Sequence, residues 1–180
     1  LTIDLAASLN YMNYRWLSIY PIVESGHKKL ENSFLPNFGI SYLLGKGFTL
    51  RAKIGKGNSA PTTEELRSSA QEINPALKPE FGWNKEIGIR KQWGNLLFTE
   101  LSFFDFRLKN AIVRKENEIA QEYFVNAGKT VHRGVEFVVE SRKIVFDTRI
   151  LKNLKFYFAG NFYDFSFKNY LKKKYQRYKR

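Results

Sequence analysis

Apolar and polar residues alternate with a period of two in long stretches of this sequence. Side chains two residues apart share one face of a β-strand, so this period predicts strands with one apolar and one polar face. One segment, for example, sets Ile87 and Ile89 opposite Glu86. Six segments alternate in this way, at residues 1–12, 34–44, 48–55, 81–90, 131–140 and 154–162. We therefore expect an all-β, antiparallel protein.

A seventh strand is predicted at residues 95–110, where the alternation is interrupted. Phe103 and Phe104 are adjacent there, and we expect a β-bulge that shifts the register. Helical spacing is limited to two places. The Thr-Thr-Glu-Glu run at 62–65 is typical of a helical N-terminus and predicts a short helical turn over 62–69, and residues 169–180 predict a basic amphipathic helix.

The connections between the predicted strands differ in length. Short turns lie at residues 44–47 and 91–95, and long polar segments lie at 16–33, 56–78 and 113–121. The connection 141–153 is longer than this alternation predicts, and its apolar residues 144–146 are interpreted as a strand that overruns its turn. Long loops at one end of the sheet are typical of transmembrane β-barrels. Predicted strand lengths of roughly 10 to 18 residues also favour the membrane, because soluble strands centre on about 5–6 residues.

The spacing of two tryptophans supports this interpretation. Trp83 and Trp93 have the same parity, so they face the same side of one strand. At about 3.3 Å per residue and a tilt near 45°, their separation across the membrane is about 23 Å. The aromatic girdles of such barrels flank an apolar band of about 25 Å, and Lys85 and Lys91 are expected at its two boundaries.

The net charge of +13 raises a competing interpretation, a soluble basic β-sheet module that binds nucleic acid. Seven of the basic residues lie in residues 168–180, and the rest of the chain carries only +6. That alternative also requires aromatic and basic side chains on one face, whereas Phe and Val mostly oppose the polar positions. The basic tail is interpreted as a solvated loop, with anionic lipopolysaccharide or an anionic metal chelate as its alternative partners.

No residue pattern predicts a catalytic site, a metal site or a cofactor. The chain has no Cys, and His27 and His132 lie far apart in sequence without a second ligand at metal-binding spacing. The carboxylate pairs, at 64–65 and at 116 and 118, fall in predicted loops, where solvation is the ordinary outcome. No Gly-x-Ser-x-Gly motif is present. We therefore predict that the chain is not an enzyme.

Three linked motifs resemble the β-barrel of TonB-dependent outer-membrane receptors. The first is a loop with Ala60-Pro61-Thr62, the second is Leu77-Lys78-Pro79-Glu80 ahead of a strand, and the third is Asn126-Ala127-Gly128-Lys129 followed by Gly134-Val135-Glu136. The residues expected to carry structural roles in these motifs are Pro61, Pro79, Glu80, Asn126, Gly128, Gly134 and Glu136.

The resemblance implies a transmembrane barrel of 22 strands filled by a plug domain, located in the bacterial outer membrane. Residues 1–180 are then a partial barrel domain of about seven strands, in which neither the plug, nor an energy-coupling box, nor the terminal strand is recognised. A third alternative, a complete small porin-like barrel, requires an even number of strands.

By the same resemblance, the partners are outer-membrane lipid, a ferric siderophore or similar iron complex, and a TonB-type energy-transducing complex that acts through the plug. No nucleic-acid partner is implied. The long loops are expected to capture ligand. The alternation places four candidate ligand-binding residues on the face that lines the lumen, namely Glu86, Arg90, His132 and Glu136.

Overall fold

Thirteen strands and one short helix make up the part of the chain described by the computed structural model, which is residues 1–19, 23–67, 69, 72–142, 144–145 and 153–168. Seven long strands form the main sheet: β1 (Thr2–Asn10), β4 (Ser33–Gly45), β5 (Phe48–Ser59), β6 (Glu80–Trp93), β7 (Leu97–Lys109), β10 (Lys129–Ser141) and β13 (Tyr157–Lys168). The connecting segments contain the other elements: β2 (Asn13–Ser18), β3 (Glu24–Lys29), α1 (Thr63–Leu66), β8 (Ile112–Glu116), β9 (Glu122–Asn126), β11 (Ile144–Val145) and β12 (Asn153–Leu154).

The main sheet is an antiparallel meander. Its strand order is β1-β4-β5-β6-β7-β10-β13, so each long strand pairs with the next long strand along the chain. This confirms the prediction of seven strands in an all-β, antiparallel sheet. The strands of the main sheet run from 9 residues in β1 to 14 in β6.

One face of the sheet carries an apolar band across all seven strands. Directly paired residues form a continuous row from β1 to β13, and we call the face that carries it the outward face. This row is Ile3, Ile40, Ala52, Ile87, Phe103, Val135 and Phe162. Five of its seven side chains are exposed, among them Ile87 at 52% and Phe162 at 73%, whereas Ile40 and Ala52 are half-buried. An uncovered apolar band of this width is what a lipid-facing surface requires.

The opposite face, which we call the inward face, is more shielded. Along β6 the outward side chains from Trp83 to Ile89 are exposed, whereas the inward ones between them are half-buried. Trp83 and Trp93 both lie on the outward face, because β6 pairs with β7 without interruption from Phe81 to Trp93. The parity on which the tryptophan argument depends is therefore correct.

The expected β-bulge in the seventh strand is absent. β7 stays in register with β6 from Leu97 to Lys109 and with β10 over the same residues. The adjacent Phe103 and Phe104 need no bulge, because both faces of β7 accept a phenylalanine: Phe103 points outward and Phe104 points inward. A register irregularity occurs instead between Leu43 and Gly45, where β4 turns into β5.

The long connections are more ordered than the sequence predicts. Two of them fold into hairpins, β2–β3 and β8–β9, where loops were expected at 16–33 and 113–121. The predicted helical turn is present as α1, in which Thr62 and Glu65 form a capping box. In the connection after β10, residues 144–145 pair with residues 153–154 in a separate two-residue ladder. The basic helix predicted at 169–180 lies outside the described residues.

The connections at the long-loop end of the sheet contain the buried apolar side chains. We call the described parts of segments 11–32, 60–79 and 110–128 the outer loop layer. It holds every buried apolar residue of the described chain, namely Leu30, Leu66, Leu77, Ala111 and Ala127. A soluble sheet buries its apolar face in a core, whereas here that face is bare and the packed interior lies beyond the strand ends. No helix among the described residues has the length and apolarity needed to cross a membrane.

We predict that Ile87→Lys destabilises the folded sheet in lipid by about 2–4 kcal/mol, because the ammonium enters the outward apolar row. Glu86→Lys is the matched control, since it places the same group on the inward face one residue away. Chemical unfolding in lipid vesicles measures both variants. Equal destabilisation by the two substitutions contradicts the assignment of the faces.

Candidate functional site

The four candidate ligand-binding residues all lie on the inward face. Glu86 and Arg90 point inward from β6, and His132 and Glu136 point inward from β10. Glu86 belongs to a row that continues through Phe104 to Gly134 and Tyr163. A groove of about 650 Å³ opens toward the edge of the sheet, and its lining includes Asp4, Arg51, Lys53 and Glu86. The inward face therefore brings together charged groups of both signs.

Arg90 is part of an ion-pair network at the short-turn half of this face. Glu100 of β7 lies between two arginines, with Oε2 2.8 Å from Nε of Arg90 and Oε1 3.3 Å from Nη1 of Arg51. Glu100 is 19% exposed, so the network is partly shielded from solvent. Two cations share one carboxylate, which leaves a net positive charge on this part of the inward face.

Glu136 accepts a hydrogen bond from the hydroxyl of Tyr163 at 2.9 Å. Tyr163 and Phe104 flank Gly134 from the two neighbouring strands, and their rings are 5.6 Å apart in an edge-to-face arrangement. A Cβ at Gly134 would lie 2.5 Å from the Tyr163 ring and 2.6 Å from the Phe104 ring. Glycine is required here because these two rings occupy the space that a side chain would fill.

His132 is enclosed by aromatic rings one row nearer the outer loop layer. Its ring centroid lies 5.7 Å from that of Phe106 and 4.5 Å from that of Phe165, and Nε2 is 2.9 Å from the hydroxyl oxygen of Thr130. Phe165 in turn stacks on Tyr163 at 5.4 Å. The inward face thus changes from charged near the short turns to aromatic near the loops.

The second and third sequence motifs meet in the outer loop layer. The side-chain amide of Asn126 accepts a hydrogen bond from the backbone N–H of Lys78 at 2.8 Å and donates to the carbonyl of Lys78 at 2.9 Å. It also donates to the carbonyl of Asn110 at 2.8 Å. One asparagine therefore ties the segment before β6 to the two segments that flank the β8–β9 hairpin.

Two further contacts hold the same junction. The carboxylate of Glu80 accepts a hydrogen bond from the backbone N–H of Ile112 at 2.6 Å, and the amide of Asn110 donates to the carbonyl of Pro79 at 3.4 Å. Pro79 lies just before β6, so its missing N–H costs no ladder hydrogen bond. Gly128 has a φ of +76° in the break between β9 and β10, a conformation that favours glycine.

The first motif anchors the β2–β3 hairpin. The hydroxyl of Tyr14 donates a hydrogen bond to the carbonyl of Pro61, which is among the most deeply buried residues of the described chain. Burial, together with the nearby carboxylate of Glu65, raises the pKa of Tyr14 above its ordinary value of 10.0. The hairpin is thus fixed to the segment that leads into α1.

Lys28 fixes the other strand of this hairpin. Its ammonium donates to the carbonyls of Pro75 and Leu77, the latter at 2.5 Å. Burial, with a contribution from Lys78, lowers the pKa of Lys28 below its ordinary value. Leu77, which directly precedes Lys78 in the chain, is 1% exposed. The three sequence motifs therefore form one connected layer over the ends of the strands.

Sequence reasoning missed several members of the site. Arg51, Glu100 and Tyr163 complete the inward-face contacts, and their inward parity was the signal that could have identified them. Tyr14 and Lys28 had no such signal, because their partners are backbone carbonyls 47 to 49 residues away. Within the described part of the chain, no group of three His, Asp or Glu side chains is placed to hold a metal ion.

Comparison with known protein families gives a match over nearly the whole chain. The family described as TonB dependent receptor-like, beta-barrel, matches residues 2–179. No curated protein matches this chain.

The fold is similar to several solved structures at low sequence identity. The siderophore receptor PirA from Pseudomonas aeruginosa has a TM-score of 0.60 and 19% identity, over 91% of this chain and 32% of that one. The hemophore receptor HasR from Serratia marcescens has a TM-score of 0.54 and 17% identity, over 78% and 28%. The iron transporter FrpB from Neisseria meningitidis has a TM-score of 0.55 and 16% identity, over 91% and 24%. The chain spans about a third or less of the length of these proteins.

We predict that Asn126→Ala loosens the outer loop layer by about 1–3 kcal/mol, because three hydrogen bonds to backbone groups are lost. Hydrogen exchange of the Lys78 amide should accelerate on the order of tenfold or more. Asn117→Ala is the control, since the hydrogen bonds of Asn117 stay within the β8–β9 turn. Unchanged exchange at Lys78 in Asn126→Ala would show that the Asn126 contacts are not stabilising.

We predict that the hydrogen bond from Tyr14 to Pro61 persists to alkaline pH. The raised pKa means that the folded state binds this proton more tightly than the unfolded state, so the stabilisation is complete below pH 10.0 and is lost as pH rises through the higher folded value. The difference in ultraviolet absorbance titration between the natural protein and Tyr14→Phe isolates this tyrosine. A difference that titrates at or below pH 10.0 contradicts the prediction.

Proposed function

The chain belongs to the family of TonB-dependent receptor-like β-barrels, and from that premise we propose that it forms part of the barrel wall of an outer-membrane receptor that imports a scarce ligand. The receptors of this family are transporters of the bacterial outer membrane. On this proposal residues 1–180 are one portion of a larger barrel domain, and the remaining strands and a plug domain belong to the rest of the receptor.

The contrast between the two faces carries this proposal. A continuous apolar row crosses seven strands on the outward face, whereas the inward face carries the Arg51–Glu100–Arg90 network and the groove beside Glu86. A wall between lipid and a polar passage needs this division. A soluble nucleic-acid-binding sheet would instead leave a large apolar face exposed to water, and nothing in the structure or in the comparisons favours that alternative.

The ligand that we propose is a ferric siderophore or a similar iron complex. The support is indirect: PirA is described as a siderophore receptor, FrpB as an iron transporter, and HasR in a complex with its hemophore and heme. The outer loop layer is the proposed capture surface, and the inward residues Glu86, Arg90, His132 and Glu136 are the proposed contacts along the passage. Energy for transport would come from a TonB-type complex that acts through the plug.

We predict that Glu86→Gln combined with Glu136→Gln lowers the import rate of the natural receptor on the order of tenfold, as expected when charged contacts to a polar cargo are lost. The matched control is Ile87→Val combined with Val135→Ile, which alters the adjacent outward positions of the same two strands. Uptake of iron-55 supplied as a panel of ferric siderophores or as haem, in cells that lack other iron receptors, measures both variants.

Three outcomes of this assay oppose the proposal in different ways. Uptake that survives collapse of the proton gradient contradicts the coupling to a TonB-type complex. Import of none of the iron complexes contradicts the proposed ligand class. Equal loss of uptake in the inward variant and the outward control contradicts the assignment of the inward contacts.

A further inference from the structure

The β2–β3 hairpin presents a basic face on the side opposite to its contacts with segment 60–79. Alternate residues of its two strands lie on this side, and all six are exposed, namely Asn13, Arg15, Leu17, Ser25, His27 and Lys29. We call this side the free face of the hairpin. Arg15 and Lys29 are its two cations, and none of its six residues is acidic. The free face therefore carries a net positive charge within the outer loop layer.

The other side of the hairpin holds the free face in a fixed position. Tyr14 and Lys28 donate hydrogen bonds to backbone carbonyls of segment 60–79. The Trp16 ring lies against Gly26 of the paired strand, where an added Cβ would be 2.3 Å from the ring. Side chains on a hairpin that is already fixed need little further ordering when a ligand binds, which favours recognition by the free face.

The two cations of the free face are close enough to share one ligand. Arg15 lies directly opposite His27, and Asn13 lies directly opposite Lys29. Directly opposite residues are about 5 Å apart and diagonal ones about 7–8 Å apart, so Arg15 and Lys29 flank one small site. The Lys29 ammonium lies 5.3 Å from the centroid of the Tyr11 ring, which places Tyr11 at one end of this site.

The protein does not neutralise these two cations. Among the residues that the structure describes, Arg15 and Lys29 take part in no ion pair. The nearest acidic residues in the sequence lie elsewhere: Glu24 has the other parity of β3, on the side of Lys28. Glu31 follows the end of β3 and lines a groove beside Lys56 on the outward face. An anion from outside the protein can therefore neutralise the free face.

The chemistry of the free face favours carboxylates among the possible anions. The Arg15 guanidinium is a planar fork of N–H donors, and this geometry matches the two oxygens of a carboxylate. Five of the six side chains carry a polar hydrogen-bonding group, and the sixth is Leu17. Catecholate rings would favour a stacking surface of phenyl or indole rings, whereas the only such ring near the two cations is that of Tyr11, at the margin.

We propose that the free face binds a negatively charged ferric hydroxycarboxylate complex, with the Arg15 guanidinium on one carboxylate and the Lys29 ammonium on a second. Asn13, Ser25 and His27 supply further hydrogen-bonding groups to the carboxylate or hydroxyl oxygens. The inference rests on the proposed function for the iron in the cargo and for the position of this layer at the cell surface. It narrows the cargo from any iron complex to one that presents carboxylates.

The test measures binding of iron-55 ferric citrate to the purified natural receptor in detergent, by equilibrium dialysis. The variant Arg15→Gln/Lys29→Gln should raise the apparent Kd on the order of tenfold, because two charge-assisted contacts are lost from an exposed site. Arg15→Lys keeps the charge but loses the fork of donors, so we expect a smaller rise. Lys46→Gln/Lys85→Gln is the matched control, since it removes two exposed cations outside the outer loop layer, and its Kd should change less than about twofold.

A ferric tris(catecholate) and a neutral ferric trihydroxamate serve as the comparison cargoes, and both should bind the natural receptor more weakly than ferric citrate does. Thermal unfolding followed by circular dichroism shows whether each variant is folded. If the double variant is unfolded, Arg15→Lys provides the comparison with the control. Unchanged affinity for ferric citrate in the folded variants overturns the proposal. Equal binding of iron-free citrate assigns the face to a free carboxylate anion and overturns it as well.

Failure of this inference and failure of the proposed function give different results. If the unaltered receptor binds and imports only the catecholate or the hydroxamate complex, the proposed function stands and the carboxylate class is wrong. If it binds and imports none of the three iron complexes, the proposed ligand class itself is contradicted.

Discussion

The lateral pairing of the long strands in one register is the constraint on which the rest of the structure depends. In hydrocarbon, an unpaired backbone N–H or carbonyl costs several kcal/mol, so each spanning strand must be hydrogen-bonded along its length to its neighbours. The same pairing fixes which side chains share a face, because a slip of one residue would move every side chain of a strand to the other face. The apolar row from Ile3 to Phe162 exists only because each of the six successive pairings is regular at the positions of this row.

A sheet of this kind has no interior of its own, and the outer loop layer supplies the packed interior instead. Leu30, Leu66 and Leu77 are buried beyond the strand ends, where backbone groups are paired by hairpins and by the side chains of Asn126 and Lys28. The described part of the outer loop layer is therefore held in place by many contacts. A fixed surface loses less conformational entropy when it binds a ligand than a flexible one would.

The sequence predicted the strands, which show a repeating pattern. It did not reveal individual hairpins and hydrogen bonds, which have no repeating pattern. Seven strands and their faces were predictable because the period of two recurs over many residues. The β8–β9 hairpin was not, because the run Arg114-Lys115-Glu116 shows no alternation of apolar and polar residues. The contacts of Asn126 with Lys78 were equally hidden, since they join positions 48 residues apart through a side chain and the backbone. The prediction of a bulge in β7 was wrong. Phe104 points inward, where its ring lies over Gly134 of the neighbouring strand, and the sequence of one strand alone does not reveal this partner.

The two faces of the sheet differ in how their charged groups are paired. On the inward face, Glu100 is flanked by Arg51 and Arg90, so one carboxylate holds both guanidinium groups in place. On the outward face near the loops, Lys56, Lys85 and Lys109 take part in no ion pair among the residues that the structure describes. Unpaired cations repel one another and destabilise a bare protein, so they are tolerable only where the surroundings supply counterions.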